Sequence, residues 1–260
     1  DTIARLLKRW PWLVVSVIIS LVLSYFYLQS KPNRYKVEGK VYIKKSQQFS
    51  DPNELLFGGR TAFKRASQIN DEAVIFKSFP LIKGTLIDLK FDVTYGKKDR
   101  FKKVELYTDS PVLIEFDREQ NKTLPLRTAF EIELLENGDF KLVSEGAFEG
   151  ETLNGTFKFN QPIKLGSFNF VIQRNKAVEN SIAKDDVFFI EFNSIERTTY
   201  SYRNILKFSE AEGGSSILTM SMNTAVPKKS IEFINKLVEK YIDQNLSEKN
   251  KVSVTGCSID

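Results

Sequence analysis

Phe130-Glu-Ile-Glu-Leu134 and Phe140-Lys-Leu142, joined through Glu136-Asn137-Gly138-Asp139, are the stretch on which the fold reading turns. Apolar and charged residues alternate on both sides of an Asn-Gly pair. A period of two puts Phe130, Ile132 and Leu134 on one face of a strand and Glu131 and Glu133 on the other. Asn-Gly accepts the positive φ that a tight antiparallel turn requires. The segment predicts a β-hairpin with one buried face. The same period recurs outward from it, in Phe91-Val93-Tyr95, Val104–Leu106, Val112–Phe116, Thr156–Asn160, Ser167–Gln173 and Val187–Phe192. The middle of the chain is therefore a run of strands.

On either side the period lengthens to that of a helix. Ile69, Ala73 and Phe76 recur at i, i+4, i+7 behind Asn70, an N-cap followed by Asp71 and Glu72 in the favourable first turn. Pro80 opens a second helix continued by Ile82, Leu86 and Leu89. Beyond the strands, Ile195 to Leu206 reads as a short helix, and Ser216–Met222 as a last strand with Leu218, Met220 and Met222 inward. Pro227 precedes a long amphipathic helix. Ile231, Ile234, Val238 and Tyr241 follow one another at helical spacing, and Phe233, Leu237 and Ile242 widen the stripe. These residues are expected to serve a core or a contact between subunits. With Tyr35–Lys44 as a first strand, the fold class is α+β, an antiparallel-rich sheet packed with helices on one side.

The N-terminal end has a different chemistry. Trp10 to Leu28 is nineteen positions without a charge, enough for a helix of about 28 Å against a bilayer core of about 30 Å. Trp10 and Trp12 mark one interface, Tyr25, Phe26 and Tyr27 the other. A secretory signal would have a shorter apolar run and a small-residue cleavage site, whereas this run ends in Tyr25-Phe26-Tyr27-Leu28. The chain therefore divides into a lead-in (1–9), a transmembrane helix (10–30), an outer α+β domain (31–250) and the start of a continuing segment (251–260), expected to be coiled coil. It opens on Asp1 and ends on an unclosed helical segment, so it is expected to belong to a longer protein. Arg5, Lys8 and Arg9 precede the anchor, but Lys31, Arg34, Lys36, Lys40, Lys44 and Lys45 follow it. Charge bias alone would keep the domain in the cytoplasm, although long domains translocate largely regardless of charge.

Composition excludes several function classes. There is no His and a single Cys, Cys257, so neither an imidazole base, nor an ordinary zinc site, nor an internal disulfide is available. The net charge of +5 is interleaved, as in Lys97-Lys98-Asp99-Arg100, unlike the clustered cations of a nucleic-acid binder. No phosphate-loop motif is present, and Gly58-Gly59-Arg60 lacks its spacing. Asp185-Asp186 and Glu131/Glu133 are the carboxylate pairs, the latter expected on a solvated strand face. Asn121-Lys-Thr123 and Asn154-Gly-Thr156 fit the glycan acceptor pattern, and the 21 Phe are expected to be core rather than a sugar-stacking platform. No catalytic, cofactor or metal residue stands out.

The order of elements resembles the chain-length regulators of bacterial polysaccharide assembly, the polysaccharide co-polymerases, and most closely the tyrosine autokinases of Bacteroidetes-type exopolysaccharide systems. The residues concerned are Leu6-Leu-Lys-Arg-Trp-Pro-Trp-Leu13, Tyr25-Phe-Tyr-Leu28, Pro32-Asn-Arg-Tyr35, Val41-Tyr-Ile-Lys44, Ile69 to Ile82, Phe91-Asp-Val-Thr-Tyr95, and Pro227 to Tyr241 with Ser230 where Ala is usual. The resemblance implies an inner-membrane protein with its main domain in the periplasm, crossing once here and twice at full length. It also implies a ring-like homo-oligomer, often an octamer, partnered with the polysaccharide polymerase, the export machinery and membrane lipid. A downstream kinase domain would use ATP and Mg, and no cofactor is expected in this chain. An autokinase half and an envelope scaffold or adhesion module are the alternative functions.

Overall fold

A computed structural model describes residues 10–29, 33–42, 71–99, 102–121, 123–126, 128–181, 186–210 and 217–256. The lead-in, Asn70 as N-cap, Gly58-Gly59-Arg60, Asp185 and Cys257 lie outside them. The expected hairpin is β5 (Ala129–Leu134) and β6 (Phe140–Glu145), in register from Ala129↔Glu145 to Leu134↔Phe140. Gly138 takes φ +85 in the turn, and the Asn137 side chain accepts from the Asp139 amide at 3.0 Å. Phe130 and Ile132 are fully buried and Glu133 is exposed, as the alternation requires.

The fold class is α+β, with antiparallel sheets packed against helices. Where one sheet was expected there are three, around two cores. The hairpin joins β2 (Val93–Lys98), β3 (Lys103–Glu105), β7 (Asn154–Phe157) and β10 (Val187–Phe192) in a six-stranded sheet ordered β3-β2-β10-β5-β6-β7. Facing it is a three-stranded sheet, β4 (Val112–Glu115), β9 (Phe168–Arg174) and β8 (Pro162–Leu165). Between the two lies a phenylalanine core, with Phe130 against Phe170 at 5.4 Å and Phe168 against Phe192 at 5.2 Å. These are spacings at which rings attract beyond simple burial.

This sandwich is inserted into a second layer. There β1 (Tyr35–Tyr42), β12 (Ile217–Thr224) and β11 (Lys207–Glu210) form a sheet ordered β1-β12-β11. It packs with α2 (Phe79–Asp88), α3 (Ile195–Ile205) and α4 (Pro227–Gly256), while a short helical segment, 71–76, contributes Phe76. Its core contains Phe76, Ile82, Leu86, Leu218, Met220, Met222, Phe233 and Leu237. Each fully buried large side chain contributes roughly 1.5–3 kcal/mol. Phe91, read from sequence as a strand residue, precedes β2 and belongs to this helical core. Period two shows that a segment is a strand, but not which sheet takes it. β8 and β11 escaped notice because both are four residues long, the first opening on Pro162.

The remaining helix is α1 (Trp10–Gln29), the N-terminal apolar segment.

Candidate assembly surface

Among the described residues α1 is the one helix long and apolar enough to cross a membrane. Its large side chains face solvent, from 43% exposure at Val14 to 77% at Trp12, so no described residue buries them. Trp10 and Trp12 lie at one end and Tyr25 and Tyr27 at the other, where the sequence placed the two interfaces.

α4 is built from a proline start and a stripe that divides into two faces. Phe233, Ile234, Leu237 and Tyr241 enter the core. Ile231 is 48% exposed and Ile242 47% exposed, while Val238 sits between the faces, partly buried. The buried face is therefore rotated from the expected Ile231-Ile234-Val238-Tyr241 line. The reason is that α4 packs against β1 on one side and α2 on the other, which draws in Phe233 and Leu237 and leaves Ile231 out. At 100° per residue, Ile231 and Ile242 lie within about 20° of each other on the helix surface. With the exposed Leu246 they form an apolar stripe that no described residue buries, while Val238 at its edge packs against the core.

The stripe lies one step round the helix from Ile234, which touches β1. A Cβ on Gly39 of β1 would stand 2.8 Å from Ile234 Cγ2, so only glycine allows this approach of helix to strand. β1 pairs with β12 alone among the described residues, leaving its other edge open. Charged Lys36, Glu38 and Lys40 punctuate that strand and guard against indiscriminate edge pairing. Tyr241 stacks on Phe76 at 4.2 Å and its hydroxyl donates to Glu72. Burial, and then that carboxylate, push its pKa up to about 12.

The other sequence candidates are placed as follows. Glu131 lies on the outer sheet face, bound to Lys98, and Asp186 pairs with Lys97 at 2.6 Å. Asn121 is 5% exposed. Its amide donates to Asp117 O at 2.7 Å and Asn169 O at 3.0 Å, and its Oδ1 accepts from Asn169 N at 2.7 Å. It is a structural clip between a loop and β9, unavailable to a glycan; Asn154 is exposed on β7. An open cleft of about 360 Å³ between α2 and α4 is lined by Asp88, Lys236, Lys240, Asp243, Gln244 and Ser247. Its cations are engaged, Lys240 with Asp88 at 2.7 Å and Lys236 with Glu239 at 2.8 Å. Among the described residues no three acidic or cysteine side chains gather where a metal ion could be held. The exposed stripe was the feature sequence reasoning missed: Ile231 and Ile242 were visible, but they merged with the core face.

No family model matches the sequence. No curated protein matches it either. Among solved structures the chain is similar to FlgL of Xanthomonas campestris, at 13% identity and a TM-score of 0.26, over 63% of this chain and 49% of that one. A similarity so low supports no argument about fold or role. These findings overturn the resemblance to the polysaccharide co-polymerases and their tyrosine autokinases. The quoted segments are short amphipathic and membrane-entry patterns with few fixed positions. Any anchored chain of this class can produce them without descent from that family.

Proposed function

We propose that this chain is a membrane-anchored scaffold that works as a homo-oligomer in the periplasm and regulates the polymerisation and export of a surface polysaccharide. The observation that carries the assembly reading is the exposed stripe of Ile231, Ile242 and Leu246 on α4, on a layer whose edge strand β1 has one edge unpaired among the described residues. A contiguous apolar row on an exposed helix face suits contact with a second copy, which would cover it.

The anchor adds to this. Six residue steps separate Gln29 from Tyr35, which at about 3.5 Å each holds the start of β1 within about 21 Å of the end of α1. Copies confined to one membrane and held at the same height meet side by side, so weak individual contacts add up through effective concentration. In this reading Trp10, Trp12, Tyr25 and Tyr27 meet lipid headgroups. A scaffold of this kind alters how long a polymerase stays engaged, not which sugars it joins. The test is deletion of the gene in its native host, with gel profiling of the surface polymer and monosaccharide analysis. The proposal expects an altered length distribution or yield at unchanged sugar composition. An unchanged profile removes the polysaccharide role and leaves the scaffold alone.

A further inference from the structure

The sandwich and the helical layer share no buried core residue among those described. The chain passes between them twice, at 91–93 and 192–195, and the two passages lie side by side. Phe192 pairs with Val93, Asn193 N donates to Asp92 O at 2.7 Å, and Asn193 Nδ2 donates to Thr94 Oγ1 at 2.8 Å. Arg118 from the sandwich meets Asp92 at 2.7 Å on the same neck. A two-stranded neck fixes a position but resists bending weakly. Something else must set the angle of the sandwich.

That second contact is compact and mostly polar. After β3 the chain turns through a 3₁₀ segment, Tyr107–Asp109, and lies against the first turns of α4. The Tyr107 hydroxyl donates to Glu232, and Lys229 pairs with Glu105. Lys228 donates to Thr108 Oγ1 at 2.5 Å and lies 3.7 Å from Asp109. Lys229 is 8% exposed, and its ammonium lies 4.8 Å from the Phe91 ring centre and 5.9 Å from that of Tyr107. The Tyr107 ring meets Phe91 edge-on at 5.8 Å and packs against the helical core. Its backbone φ is +53, left-handed and strained for a residue with a Cβ. Burial and Glu232 also push the Tyr107 pKa up, which keeps the hydroxyl protonated and donating.

We propose that the sandwich is a hinged arm, with the β2/β10 neck as pivot and the Tyr107–Glu232–Lys229 contact on α4 as a releasable latch. Charged and hydroxyl groups exchange protein partners for water far more readily than apolar cores separate. The left-handed Tyr107 stores strain that opening relieves. One aromatic ring and four polar contacts close the arm, against more than a dozen buried side chains inside each unit. The inference stands on this geometry and is independent of the polysaccharide role.

The test uses the full chain in lipid nanodiscs, with Cys257→Ser and spin labels at Asn137→Cys on the hairpin and Glu239→Cys on α4, diluted with unlabelled protein. The latched chain gives one narrow distance distribution. Lys228→Ala with Glu232→Ala should broaden it toward longer distances and raise amide exchange over 104–110 about tenfold. Exchange in β5, β6 and β9 should stay unchanged. Glu232→Gln, which keeps shape and hydrogen bond but removes the charge, should fall between the two and covers the case where the double variant folds poorly. A distribution as narrow in both variants as in the wild type overturns the proposal. So does exchange that rises equally throughout the sandwich.

Discussion

Replacing Ile231 and Ile242 together by Asp separates assembly from folding, because both lie outside the core on α4. Each is close to half exposed, at 48% and 47%. A fully buried Ile is worth roughly 1.5–3 kcal/mol, so covering the remaining half of each gives about 1 kcal/mol per side chain, and about 4 kcal/mol for an interface in which the stripe meets its copy and four such side chains are covered. At about 1.4 kcal/mol per tenfold, that is a loss of association approaching a thousandfold, before the further cost of bringing carboxylates to the contact. Folding should be nearly untouched, since exposed helix substitutions usually stay within about 0.5 kcal/mol. Ile234→Asp is the contrast. At 4% exposure, against Gly39, it places an unpaired carboxylate in the core and should unfold the helical layer. Sedimentation in detergent across a hundredfold concentration range, with thermal unfolding of the same samples, reads both effects. If the double variant sediments like the wild type at every concentration, the stripe is not an assembly face. If it melts like Ile234→Asp, the two residues are core and the division of α4 into two faces is wrong.

Asn121→Ala should destabilise the sandwich by about 1–3 kcal/mol in urea unfolding, because it leaves Asn169 N and O without their partner in a buried setting. Asn121→Asp, which cannot donate to either carbonyl, should cost at least as much. The hydroxyl of Tyr241 titrates near 10.0 when unfolded and is pushed up to about 12 in the fold. Its contribution to stability is therefore complete below pH 10 and is lost as the pH rises toward 12. Tyr241→Phe should flatten that part of the alkaline unfolding curve, followed by circular dichroism.

The elements were legible in the sequence wherever one periodicity ran for long enough. Phe130-Glu-Ile-Glu-Leu134 and its Asn-Gly turn could only be a hairpin, and Trp10–Leu28 could only be buried in lipid or in protein. Sheet partnership was not legible. Val93–Lys98 and Val112–Glu115 have the same alternation, yet one joins the six-stranded sheet and the other the three-stranded sheet opposite. That choice depends on which loops can close, information spread over the whole chain. Phe91 and Val93 illustrate the same limit, two residues apart in sequence and in different cores. The exposed stripe on α4 was half legible, since period 3.6 located the helix and put Phe233 and Leu237 in its apolar stripe but could not tell that its neighbours would leave Ile231 and Ile242 outside. The latch on Tyr107 left no sequence signal, because a left-handed tyrosine is imposed by its surroundings.

Cross-linking in native membranes tests the assembly claim most directly. In a Cys257→Ser background, Ile242→Cys should form covalent dimers with a short bismaleimide in intact membranes, because the proposed assembly sets the stripe against its copy in a neighbouring subunit. Asn137→Cys, at the tip of the hairpin, should remain monomeric under the same treatment. Monomer alone from Ile242→Cys, with the thiol shown to be reactive, would contradict the account.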